Sequence, residues 1–256
     1  MNIKIKEWYS RLGNNIIQVK NTIQISLFYG YNVILPQHNY FNTQYIKINE
    51  NINENDSIII EENFFDMEPL NHLDKDLFNK NIEETIRILK DIFKIKNCIP
   101  LNENDVVIHI RSGDIFSKRS HRYYIPPPLA FFTNILNNNK FDNIIIIAED
   151  NKNPCINNLL KLYPDIKFTI QSLESDINLL LGSFNVIESF GTFTPSLLIL
   201  SNHIKNIYRP SYQCQLFDYK ILNVNVYETS LNEYQKIQTP WQNKIKQHAL
   251  MLTYKV

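Results

Sequence analysis

The residues best placed to do chemistry lie at the end of one apolar run, VVIHIRSGD, Val106 to Asp114. An unbroken β-branched stretch of this kind reads as a strand buried on both faces, so its polar residues collect at the C-terminal end. In an open α/β sheet that end is where ligands bind. Arg111 would present a planar guanidinium there, suited to gripping a phosphate through two parallel N–H bonds. Gly113 would let backbone approach a ligand closely, and Asp114 would face the same space. The same residues also permit a plainer reading, an Arg111–Asp114 ion pair that closes a strand.

Other stretches invite the same question. Ser189, Gly191, Thr192 and Thr194 follow the run NVIES and lead into an apolar segment, Pro195 to Leu200. A helix opening just after a strand offers unbonded backbone N–H groups to an anion. Gly13, Asn14 and Asn15 stand at the start of a helical pattern from about Asn14 to Tyr29, with Gly30 as its stop. They read either as donors to an anion or sugar hydroxyl, or as a tight turn with a helix cap. The loop carrying Lys118, Arg119, His121 and Arg122 beside Tyr123 and Tyr124 fits a lid over an anionic ligand, or a solvated basic loop. Asp74-Lys75-Asp76 has the D-x-D form of divalent-cation sites but stands in a polar stretch with no strand before it, and reads as a solvated loop.

The elements that must position these residues alternate. From Asp105 onward, the strand-like runs DVVIHI, NIIIIAED, IKFTI and NVIES are separated by helical patterns, which predicts a parallel sheet of nucleotide-binding topology. Three prolines, Pro126 to Pro128, set up the helix LAFFTNILNN. In the first hundred residues NVILP, YIKI and SIIIE read as strands, and NIEETIRILKDIFKIK as an amphipathic helix opened by Asn81. The polar connector Leu101 to Asn104 sets the boundary between a domain 1–102 and a domain 103–256. The last segment, TPWQNKIKQHALMLTYK, reads as a helix with Trp241, Ile245 and Leu250 or Leu252 on its buried side, returning to the first domain.

Composition excludes several classes. With 256 residues, 44% of them apolar, the chain can bury a real core. Lys+Arg and Asp+Glu balance at 26 each, so nothing in the overall charge calls for nucleic acid or an anionic membrane. Any anion site must be local. Cys98, Cys155 and Cys214 are far apart, without a C-x-x-C or His pairing, which points to neither a disulfide framework nor a structural zinc. A phosphatase-like or other phosphate-binding enzyme would need a Cys-x5-Arg, a GxxxxGK[ST] or a Gly-x-Ser-x-Gly elbow, which the sequence lacks. No run approaches the ~20 apolar residues of a bilayer span, and the expectation is a cytoplasmic protein without membrane insertion.

Three blocks in this order, RLGNNIIQ, HIRSGD and SDINLLLGSFNVIESFGTFTPSLLILS, resemble the fucosyltransferase superfamily of α-1,2-, α-1,6- and protein O-fucosyltransferases. The first is similar to its Gly-Leu-Gly-Asn opening, the second to its H-x-R-x-G/T-D block, the third to its D-hydrophobic-S/T-F segment. The resemblance implies an α/β, GT-B-like fold, with two small Rossmann-type domains facing a cleft. It also implies GDP-fucose as donor on the second domain, a glycan acceptor on the first, inversion at the anomeric carbon, and neither metal nor cofactor. On this resemblance Arg111 matches the arginine on the donor's β-phosphate, Asp176 the acid on the guanosine, and Thr192, Phe193 and Thr194 the segment around nucleotide and phosphates, with Ser189 and Gly191 leading into it. His109, Gly113 and Asp114 match the rest of the middle block. Asn14 matches the asparagine of the N-terminal loop near sugar and acceptor, flanked by Gly13 and Asn15, and His121 is placed on that side too.

The departures are specific. Protein O-fucosyltransferases place a Glu base where Asn14 and Asn15 stand, and an amide cannot take a proton. Ser112 stands where many relatives carry a second Arg. Asp114, His121 and Glu188 remain as candidate bases. The expectation is an inverting, metal-independent glycosyltransferase moving L-fucose from GDP-fucose to a carbohydrate hydroxyl, with Arg111 and Asp114 at the chemistry. The alternatives are a non-catalytic nucleotide-sugar or glycan-binding protein, and a transferase of another GDP-deoxyhexose; the oligomeric state stays open.

Overall fold

Each half of the chain is built on its own sheet, and the halves separate as two units, Met1–Asn97 and Cys98–Val256. The computed structural model describes residues 1–49, 57–60, 81–96, 98–118, 120–213 and 219–256, with 57–60, 220 and 221 as backbone alone. Asp74, Asp76, Arg119 and Cys214 lie outside the described residues.

In the first unit, β1 (Asn2–Ile5) runs parallel to β2 (Asn32–Ile34) and to β4 (Ser57–Ile60), while β3 (Tyr45–Ile46) lies antiparallel to β2. The order is β3-β2-β1-β4. β1 escapes the sequence reading because two alternating isoleucines, Ile3 and Ile5, are all that marks it, yet both are buried. Helix α1 (Leu12–Tyr29) starts earlier than its apolar pattern suggests, so Gly13 and Asn14 lie in its first turn rather than in a loop before it. It ends, as read, at Gly30 in the left-handed region. α1 is buried around most of its circumference, including Gln18, Lys20, Asn21 and Gln24. Lys20 Nζ donates to Gln24 Oε1 at 2.7 Å and to Asn21 Oδ1 at 3.2 Å, and burial pushes its pKa down to about 8. α2 (Ile82–Ile92) packs along α1, with Glu83 and Glu84 at its positive end.

The second unit carries an all-parallel sheet of β5 (Val106–His109), β6 (Ile144–Ile147), β7 (Lys167–Phe168), β8 (Asn185–Ile187), β9 (Asn206–Pro210) and β10 (Asn225–Thr229). Its order, β10-β9-β8-β5-β6-β7, means that the chain steps outward from β5 to β7 and then returns to lay β8 against the other side of β5. That reversal is the topological switch point of a doubly wound sheet. Val106, Val107 and Ile108 are 0% exposed, as a strand covered on both faces requires.

The crossovers are helices with local causes. α3 (Leu129–Asn138) follows the three prolines. α4 (Pro154–Leu162) has Pro at its first position and Asn153 as cap, whose side chain accepts from Cys155 N. α5 (Leu173–Gly182) is capped by Ser172, with Glu174 and Asp176 in its first turn. α6 (Phe193–Leu198) is only six residues long. Leu101 N donates to Gly182 O at 2.9 Å, which ties the connector to the second unit.

In the C-terminal segment α7 (Asn232–Gln238) precedes α8 (Ile245–Thr253), which packs on α3 and α4 of the second unit. Its buried residue is Met251, while Ile245 is 87% exposed. Trp241, ahead of the helix, is the buried anchor: Nε1 donates to Ile115 O at 2.7 Å, and its own N–H to Arg122 O at 2.8 Å. The segment therefore pins the long loop that follows β5 through Trp241, while Ile245, read as buried, faces solvent.

Candidate functional site

The switch point lies between β5 and β8, and the residues at the C-terminal ends of these two strands meet there. Arg111 N donates to Ser189 Oγ at 3.2 Å, stapling one strand end to the other. The Arg111 side chain is 16% exposed. Its Nη2 reaches both Asp114 oxygens, at 3.0 and 2.9 Å, and its guanidinium carbon lies 5.3 Å from the Tyr124 ring centroid. The Nε is buried and has no hydrogen-bond partner among the described residues. A guanidinium with one edge unsatisfied, at the ligand end of a parallel sheet, is a clamp suited to an oxyanion. The Arg111–Asp114 ion pair read from the sequence is present in the same geometry.

The turn after β5 is fixed from behind. Ser112 Oγ donates to Asp150, Gly113 N donates to Asp150 Oδ1 at 3.1 Å, and Asn153 Nδ2 donates to Arg111 O at 3.0 Å. Gly113 has φ 65, where a side chain is strained. Burial alone would raise the Asp150 carboxyl; hydrogen bonds from the Lys152 side chain, Ser112, and the N–H groups of Lys152 and Gly113 outweigh it and hold the pKa at about 2. Asp150 thus stays ionised as the acceptor that shapes this turn.

Beyond β8 the chain returns to β5. Thr194 Oγ1 lies 2.6 Å from His109 Nδ1, and the His109 ring lies 5.4 Å from Phe193. Burial, and then the neighbouring Arg111 charge, push the His109 pKa down to about 3, so it is a neutral linker rather than a second cation. Gly191 has φ 113, and a Cβ there would stand 3.1 Å from Arg111 Nη1. Its N–H donates to Gln213 Oε1 at 3.1 Å, and its carbonyl accepts from Gln213 Nε2 at 2.8 Å. Thr192 stands at the N-cap position, without a side-chain cap bond, of a helix too short to present much of a dipole, so individual donors carry any attraction here.

Asp176 sits in the first turn of α5, after β7, on the same edge of the sheet but two strands from β5. Burial raises its pKa, with the bond from Gln171 Nε2 acting against it. His121 is exposed and its ring lies 4.6 Å from that of Tyr124, which itself lies 5.4 Å from Phe190. The structure thus brings His121 to the second unit's aromatic wall beside Arg111. Glu188 is 0% exposed, accepting from Tyr219 OH at 3.1 Å, and burial lifts its pKa to about 7 against the pull of Tyr219 and Arg209. It lies beneath the site and cannot meet an incoming hydroxyl in this conformation.

Gly13, Asn14 and Asn15 follow β1, which flanks the first sheet's own reversal between β1 and β4. Asn15 is buried, with Nδ2 donating to Tyr9 O at 2.9 Å and to Gln18 Oε1 at 3.2 Å. Its Oδ1 faces His38 Nε2 at 3.3 Å. His38 Nδ1 accepts from Tyr40 N at 3.1 Å, which puts the ring proton on Nε2, where it bonds Asn15. Asn15 therefore organises the loop before α1. Asn14 stays partly exposed at the helix start.

The sequence reading missed the side chains that hold the site from behind: Asp150, Asn153 and Gln213. Asp150 and Asn153 carry a usable signal, an acid ending the run NIIIIAED and an Asn-Pro helix opening. Gln213 carries none, because its role depends on a contact across the fold. Among the described residues no group of three or more His, Cys, Asp and Glu side chains is arranged to hold a metal ion.

No family model matches the chain, and no curated protein matches its sequence. Among solved structures it is similar to NodZ alpha-1,6-fucosyltransferase soaked with GDP-fucose (TM-score 0.40, 9% identity) and to the same enzyme co-crystallised with GDP (TM-score 0.42, 10% identity). Each match covers 78% of this chain and 92% of the other.

Proposed function

We propose that the protein is an inverting, metal-independent glycosyltransferase that moves L-fucose from GDP-fucose to a carbohydrate hydroxyl. The observation that carries this reading is Arg111, held at the switch point inside the H-x-R-x-G-D block with its buried Nε unpartnered. Negative charge builds on the β-phosphate oxygen as the bond to the sugar's anomeric carbon breaks, and Arg111 is aimed to receive it. The acceptor oxygen forms the new bond from the opposite face, and its proton passes to a base, for which Asp114 is the carboxylate that the H-x-R-x-G-D block offers. On this reading His109, Gly113, Ser189, Gly191, Thr192, Phe193 and Thr194 shape the diphosphate and nucleotide site and Asp176 takes the guanine. Gly13, Asn14, Asn15 and His121 serve the sugar and acceptor.

The test is a donor screen: GDP-fucose, GDP-mannose, UDP- and dTDP-sugars, each read as a shift in melting temperature. GDP-fucose should give the largest shift, followed by turnover with a glycan acceptor that survives EDTA, because Arg111 takes the place of a metal. Activity that disappears with chelator and returns with Mn²⁺ overturns the metal-independent mechanism. A larger shift with another GDP-deoxyhexose moves the assignment to that donor.

One observation favours a second reading, a nucleotide-sugar-binding protein without turnover. Neither carboxylate candidate is free to act as base: Asp114 is paired to Arg111 and Glu188 is buried, while Asn14 and Asn15, where protein O-fucosyltransferases place a Glu, are amides. Tight GDP-fucose binding with no transfer to any glycan would select it.

A further inference from the structure

We propose that Gln213 is a positioning residue for the anion clamp: its amide locks the Gly191 peptide against which Arg111 leans, and so sets where the guanidinium meets its ligand. The inference rests on the donor reading above. Gln213 is 6% exposed, and its own N–H donates to Pro210 O at 3.0 Å, which fixes it to the end of β9. Both halves of its side-chain amide are spent on one residue, Oε1 accepting from Gly191 N at 3.1 Å and Nε2 donating to Gly191 O at 2.8 Å. A reciprocal pair of this kind fixes the orientation of the backbone at Gly191, because rotation there would break both bonds and leave a buried amide unsatisfied.

The consequence reaches Arg111 through packing. Gly191 sits at φ 113, and a Cβ there would crowd Arg111 Nη1 at 3.1 Å. On the other side the guanidinium is bounded by the Tyr124 ring and by Asp114. Removing the Gln213 amide leaves the Gly191 wall free to rotate, so that Arg111 must be ordered by the ligand at the moment of binding, and affinity falls by that ordering cost. Gln213 thereby acts on an anion it does not touch.

The experiment is calorimetric titration of GDP into wild type, Gln213→Met, Gln213→Asn, Arg111→Ala, and the double variant Gln213→Met/Arg111→Ala, with melting temperatures for all. Met keeps the volume and removes both hydrogen bonds; Asn keeps the amide but is too short to span both groups. GDP affinity should fall about tenfold in Gln213→Met, the equivalent of one to two lost hydrogen bonds, and less in Gln213→Asn. In the Arg111→Ala background the Met substitution should cost nothing further, a coupling that a purely structural role would not produce. Wild-type affinity in Gln213→Met overturns the inference, as does a loss that persists undiminished without Arg111. If Gln213→Met does not fold, Gln213→Asn decides by the same criteria. A wild-type protein that does not bind GDP overturns the donor reading itself, and this inference falls with it.

Discussion

Arg111 binds Asp114 through one nitrogen, Nη2, although a carboxylate paired at full strength engages two. The pair is therefore an incomplete use of the fork, and the Nε edge is what an incoming diphosphate would complete. Replacing Arg111 by Ala should lower kcat by about 10²-fold or more while the fold survives, and Arg111→Lys, which keeps the charge without the fork, should lie between. Melting temperature and donor turnover measured together decide the matter: a destabilised but catalytically normal Arg111→Ala makes the residue a strand-closing ion pair and nothing more. Asp176 gives a second test at this scale, since a carboxylate accepts two hydrogen bonds from guanine that uracil cannot supply. Asp176→Ala should weaken GDP by ~2 kcal/mol and leave UDP unchanged. Equal losses for the two nucleotides would remove Asp176 from base recognition. Arg111 and its place at a strand end were visible in the sequence because a charge at the end of an apolar strand is conspicuous. Gln213 was not, because it lies 22 residues from the glycine it holds and nothing local marks it.

At the scale of elements, β5, β6 and β8 of the second unit were legible as isoleucine and valine runs, whereas β9 and β10 were not read, because NIYRP and NVYET mix polar residues into short runs, and IKFTI shortened to the two residues of β7. The order of the strands was not legible, since apolar runs do not encode which neighbour they pair with. The polar rows of α1 were also hidden, because Gln18, Lys20, Asn21 and Gln24 would ordinarily mark a solvated face and are buried here. Asn153 shows how an element and a site share one residue. Its Oδ1 caps α4 through Cys155 N, and its Nδ2 holds Arg111 O. Asn153→Ala should cost about 1–2 kcal/mol for the cap and weaken GDP as well, because the freed Arg111 carbonyl loosens the turn. Asn153→Asp keeps the cap but cannot donate to Arg111 O, so it should recover most of the stability and little of the affinity. Chemical denaturation and GDP titration of the two variants would show it, and parallel recovery of both quantities would deny the link.

At the scale of the whole molecule, each unit buries a titratable group, and the two should answer pH in different windows. In the second unit Glu188 is lifted from its ordinary 4.5 to about 7 by burial. Between those values the folded state holds a proton that the unfolded chain has released, so Glu188 lowers stability as pH rises from 4.5 to about 7. His109 acts oppositely: folded it is neutral above about 3, unfolded it keeps its proton to 6.5, so it raises stability as pH rises between them. Asp150, depressed from 3.8 to about 2, adds stability that is lost as pH falls through that interval. The second unit should therefore gain stability up to about pH 4.5, hold while the two buried groups offset, and lose some between 6.5 and 7; Glu188→Gln should abolish that last fall. In the first unit Lys20 is pushed from 10.5 to about 8, so the unfolded chain binds more protons between those values and stability rises there. Lys20→Met should remove that rise and stabilise the unit at neutral pH, because a buried ammonium held, among the described residues, by the amides of Gln24 and Asn21 costs more than a thioether side chain of similar size. The two tryptophans make the windows separable, since Trp8 belongs to the first unit and Trp241 to the second. Urea unfolding of single-tryptophan variants across pH 3 to 10.5 should show the Glu188 fall through Trp241 and the Lys20 rise through Trp8. A Lys20→Met protein that is less stable than wild type at pH 7 would mean that the ammonium is satisfied where it lies.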